Sequence, residues 1–76
     1  MKTEKILDRI QAIAYDLYDD LDSRYYDEVQ GQWRLALNHW REEGDYAHGD
    51  IKKCLEQIEI LKKIVILERQ IELVYG

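Results

Sequence analysis

Proline and phenylalanine are absent from this chain of 76 residues, cysteine occurs once, and glycine occurs four times. Without proline there is no residue that breaks a helix by removing an N–H, and with so few glycines there are few weak points, so long uninterrupted helices are expected. The single cysteine, Cys54, excludes an internal disulfide and the paired cysteines of the usual zinc motifs. A lone thiol fits a reducing compartment, so a cytoplasmic protein is expected. No long hydrophobic run occurs. The most apolar stretch, Ile64 to Leu67, is far short of a membrane span, and the charged opening MKTEKILDRI does not read as a secretory leader. A basic cluster is also missing: eleven Lys and Arg are scattered among sixteen acidic residues, for a net charge of −5. That balance disfavours nucleic-acid phosphate and favours a protein partner with a basic surface.

What is present reads as one folded domain, residues 1–76. Apolar residues make up 46% and charged residues 36%, a folded rather than a disordered composition. The positions Ile6, Leu7, Ile10, Ile13, Ala14, Leu17 and Leu21 fall on one side of a helix at about 100° per residue. Asp8, Arg9, Asp16, Asp19 and Asp20 take the other side, and Thr3 is placed to cap the start. Tyr25, Val29, Trp33, Ala36, Leu37 and Trp40 form a second helical stripe, out of phase with the first. Asp22 and Ser23 are good capping residues at the change of phase, which favours two helices, about 3–21 and 23–43, over one helix of forty residues. Trp33, Trp40 and Leu37 are expected to be the largest block of the core.

Gly44 stands where a C′ glycine would end the second helix, and GDYAHGD reads as the one strong loop. Asp50 would then cap a third helix over 50–74. That helix carries two apolar stripes. Ile51, Cys54, Leu55, Ile58, Leu61 and Val65 form one. Ile60, Ile64, Leu67, Ile71 and Val74, in steps of 4, 3, 4 and 3, form a heptad seam well over a quarter-turn away. A helix apolar on two sides has neighbours on two sides. The expectation is therefore an all-α fold, a helical hairpin or three-helix bundle, homodimeric through Ile60, Ile64, Leu67, Ile71 and Val74.

The stretch YDLYDDLDSRYYDEV holds six acidic residues and four tyrosines in fifteen positions. Tyr18 and Tyr25 continue the apolar stripes, whereas Tyr15 and Tyr26 fall near the acidic side. Exposed aromatics among carboxylates suit the capture of a Lys- and Arg-bearing protein. Tyr15, Asp16, Asp19, Asp20, Tyr26 and Asp27 are the candidate partner-binding residues. The main functional expectation is a small, non-enzymatic adaptor, regulator or inhibitor. A structural subunit of a larger assembly is an alternative.

Chemistry-bearing motifs are sparse. No glycine-rich phosphate loop occurs, and Ser23, the one serine, reads as a cap rather than a nucleophile. Cys54 lies on the inner stripe and is expected to behave as a small apolar residue. His39, His48, Cys54, Asp45 and Asp50 can be grouped on paper, but spacings of nine and six match no standard zinc pattern, so neither metal nor cofactor is expected. Arg34 and His39, in RLALNH, have a spacing that resembles the R-x4–6-H motif of HEPN helix-bundle ribonucleases. That resemblance implies a dimeric enzyme in which Arg34 and His39 act on a phosphodiester. Leu35 stands where that family usually carries a polar residue, and a surface Arg and His flanking the tryptophans is the favoured reading.

Overall fold

The computed structural model describes residues 2–18 and 23–75. It is all-helical, with α1 at Thr3–Tyr18, α2 at Ser23–Glu43 and α3 at His48–Tyr75. A single 3-10 turn, Gly44–Ala47, joins α2 to α3. Each of the three helices packs on the other two. Asp19, Asp20, Leu21 and Asp22 lie outside the described residues.

Side-chain pairs give the directions. Thr3 and His48 meet at the starts of α1 and α3. Further along, Arg9 faces Glu59 and Asp16 faces Lys62, so these two helices run parallel. Tyr15 sets its ring edge-on to Trp33, which runs α2 back along α1. A continuous straight helix from residue 3 to 43 could not make that contact.

The first stripe is inside. Ile6, Ile10, Ile13, Ala14 and Leu17 are buried, with Leu7 packed at the edge. They meet Tyr25, Val29 and Ala36 of α2 and Ile51, Cys54, Leu55, Ile58 and Val65 of α3. Ile10, Ile13, Ile51 and Ile58 are among the largest fully buried side chains. Each contributes about 1.5–3 kcal/mol by leaving water.

Four local expectations need correction. Trp33 and Trp40 are only half-buried, and Leu37 is exposed, so the tryptophan block lines the core rather than filling it. Isoleucines of α1 and α3, with Val29 of α2, already close the centre, and the flat indoles cover its rim with one edge wet. Thr3 does not cap α1: the carbonyl of Lys2 accepts the first helical N–H bonds, and the Thr3 hydroxyl goes to His48 instead. GDYAHGD is not an open loop, because the 3-10 turn takes up its first four residues. Nor does α3 start at Asp50: it begins at His48, whose N–H donates to the Asp45 carbonyl, and Asp50 sits in the first turn. A 3-10 turn keeps backbone groups paired while redirecting the chain, so little irregular backbone is needed. Gly44, at φ 59, supplies the left-handed step after α2, as its position implied.

Candidate interaction surfaces

α3 is longer than its neighbours. Its 28 residues span about 42 Å, against about 24 Å for the 16 of α1. This accounts for the 46 Å long axis of the molecule. The inner face of α3 stops at Val65, 5% exposed. The next positions on that face, four and seven residues on, are Arg69 and Glu72, and both are exposed. Charge appears on the inner face once α1 and α2 no longer cover it.

The second stripe does not stop there. Ile60, Ile64, Leu67, Ile71 and Val74 are all exposed, between 37% and 73%. None is tucked against α1 or α2. Ile66, Leu73 and Tyr75 are exposed as well, outside the stripe that spacing picked out. They lie off the 4-3-4-3 pattern, which is why periodicity alone passed over them. At about 100° per residue the seam lies nearly opposite the buried stripe, so α3 carries one apolar face inward and another outward. With Ile64 as an a position, Lys63 flanks the seam at g and Glu68 at e. Glu68 accepts a hydrogen bond from the Tyr25 hydroxyl, which ties the seam's border to α2.

The tyrosine–acid surface is at the opposite end from the Thr3–His48 contact. Tyr15 and Asp16 sit near the end of α1, and Tyr26 and Asp27 near the start of α2. Tyr15 is exposed, although its ring meets Trp33 at 5.7 Å between centroids and 70° between planes. Asp16 is exposed and 4.0 Å from the Lys62 ammonium, a long and weak pair. Asp27 is exposed and Tyr26 half-buried. The two helices thus bring four of the candidate residues to one end of the bundle. Asp19 and Asp20 lie outside the described residues.

Arg34 is exposed and His39 half-buried on α2. Five residues apart, they project about 140° from one another. Cys54 is buried, and burial pushes its thiol up from the ordinary value of 9.0, with the Asp50 carboxylate adding to the rise. An open depression at the other end of the bundle is lined by Lys2, Thr3, Glu4, Asp45 and His48. Among the described residues no helix is long and apolar enough to cross a membrane. No family model, no curated protein and no solved structure matches this chain.

Proposed function

We propose that the chain is a small non-enzymatic interaction module. It pairs with a second copy along α3 and holds a Lys- and Arg-bearing protein at the acidic, tyrosine-lined end, acting as an adaptor, regulator or inhibitor. The observation that carries this reading is the outward seam of α3, which stays apolar through Val74 although the inner face turns charged after Val65.

A second copy suits the seam better than an unrelated helix. The spacing is that of a heptad, and the flanking charges are self-complementary: in a parallel pair, Lys63 of one copy faces Glu68 of the other. Burying five half-exposed side chains per copy contributes on the order of 10 kcal/mol across the pair. Association costs roughly 4–15 kcal/mol, so the dimer is weak and concentration-dependent.

Light scattering on the full chain tests the pairing. The expected mass is twice the 9.2 kDa of one chain, returning to one chain on dilution. The double variant Ile64→Asp, Leu67→Lys is expected to stay monomeric with unchanged helix content. A wild type that is monomeric throughout, or a variant that still dimerises, sinks it. Capture of basic proteins is expected to end when Asp16, Asp19, Asp20 and Asp27 are reversed to Lys without loss of folding. RNA cleavage that disappears with His39→Ala while the dimer persists would replace this reading with the ribonuclease one.

A further inference from the structure

The corner between α2 and α3 gathers three potential metal ligands from two helices. His39 and Glu43 are four residues apart on the last turns of α2, so their side chains stack on one face. The 3-10 turn then returns the chain and sets Asp50, in the first turn of α3, beside them. One donor atom from each of His39, Glu43 and Asp50 lies within 4.8 Å of the other two. Among the described residues none of the three has a hydrogen-bond or ion-pair partner.

We infer that this corner binds a divalent transition-metal ion, with Zn2+ the best fit. The donor set is one imidazole nitrogen and two carboxylate oxygens. Imidazole selects transition ions over Mg2+ and Ca2+, which prefer all-oxygen sites. Zn2+ takes such ligands at about 2.0–2.2 Å, which puts neighbouring donors roughly 3.3–3.5 Å apart in a tetrahedron. The donors already lie within 4.8 Å of one another, and Glu43 and Asp50 are both exposed, so their side chains are free to adjust toward that separation. His39 is half-buried and supplies the fixed point.

Electrostatics favours a cation here independently of geometry. α2 ends on Glu42 and Glu43, with Arg41 the basic residue of its last turn. Carboxylates at the negative end of a helix dipole are unfavourable, and Asp50, itself well placed in the first turn of α3, adds a second negative charge close to Glu43. A dication between Glu43 and Asp50 removes both penalties. It also clips α2 to α3 across the turn that Gly44 makes. Three protein ligands leave a fourth position open to water or to a group from a partner.

The probe is zinc chloride titrated into metal-stripped full-length chain, read by calorimetry and by thermal unfolding. One Zn2+ per chain is expected, with a melting temperature raised by about 4–8 °C at saturation. Glu43→Gln and Asp50→Asn preserve shape at exposed positions, and each is expected to weaken Zn2+ binding by about tenfold or more. His39→Ala abolishes it, and Asp45→Asn, on the same corner but outside the cluster, leaves it unchanged. Histidine ring resonances should shift for His39 and not for His48. Wild-type Zn2+ affinity in both Glu43→Gln and Asp50→Asn overturns the site even if His39→Ala does not fold. So does an equal thermal shift with Mg2+ or Ca2+.

Discussion

The Thr3 hydroxyl and His48 Nδ1 lie 2.8 Å apart across 45 residues of sequence. The bond ties the start of α1 to the start of α3, and Thr3 is the one buried polar residue among those described. Thr3→Val keeps the shape and removes the partner. It is expected to cost about 1 kcal/mol, a fall in melting temperature of roughly 4–8 °C. Thr3→Ser, which keeps a hydroxyl, should recover most of it. A loss for Ser with none for Val would show that the methyl contact, not the hydrogen bond, matters.

The two faces of α3 should respond oppositely to the same truncation. Ile58 is fully buried, and Ile58→Ala is expected to cost about 2–5 kcal/mol. That is a large part of the roughly 4–11 kcal/mol that a chain of 76 residues holds. Ile60→Ala, two positions on and half-exposed, should change folding stability by about 0.5 kcal/mol or less while weakening self-association. Urea unfolding at low protein concentration separates the two effects.

Glycine to alanine should also change sign with position. Gly31 is inside α2 and has open space where a Cβ would go, so Gly31→Ala is expected to stabilise by about 0.5–1 kcal/mol. Gly44 has equal space but φ 59, so Gly44→Ala should cost about 1–2 kcal/mol from backbone strain alone. Gly44→Asn should cost less, because asparagine tolerates the left-handed region. Chemical denaturation of the three variants checks the order.

Cys54 gives a prediction in pH. Its thiol is raised above 9.0 by burial and then by Asp50, so the native chain holds this proton more tightly than the unfolded chain does. The contribution is fully present below pH 9.0 and is lost as pH rises through the raised value. Stability should therefore fall more steeply above pH 9.0 in the wild type than in Cys54→Ala, measured by denaturant midpoints. Parallel slopes would remove Cys54 from the account. Alkylation of native Cys54 should be slow at neutral pH for the same reason.

Much of the core was legible because helical burial is periodic. Ile6, Ile10, Ile13, Ala14 and Leu17 were placed inside by spacing alone, and the inner and outer stripes of α3 separated cleanly. The Trp33–Trp40–Leu37 block was misjudged because bulk was read as depth. Spacing says which face a residue shares but not how far that face reaches into the centre, and Leu37 falls at the margin where α2 meets water. The Thr3 cap failed for a similar reason: a hydroxyl at a helix start has local partners in any sequence, and only the approach of His48 gave it another.

The cluster of His39, Glu43 and Asp50 shows the same division. The four-residue step from His39 to Glu43 is a local helical spacing, but Asp50 joins them only because the 3-10 turn folds α3 back. Of the five residues grouped on paper, the fold sends His48 to Thr3 and Cys54 to the core, and leaves His39 and Asp50 together beside Glu43.

Sequence by itself determined the all-helical character, the buried stripe of each helix and the left-handed glycine after α2, because these follow from short-range periodicity and backbone sterics. Tertiary structure decided which apolar stripe of α3 its own chain covers, and which side chains from distant segments meet. α1 and α2 cover the inner stripe as far as Val65 and leave the outer one exposed, an outcome set by helix lengths and crossings that no local pattern encodes.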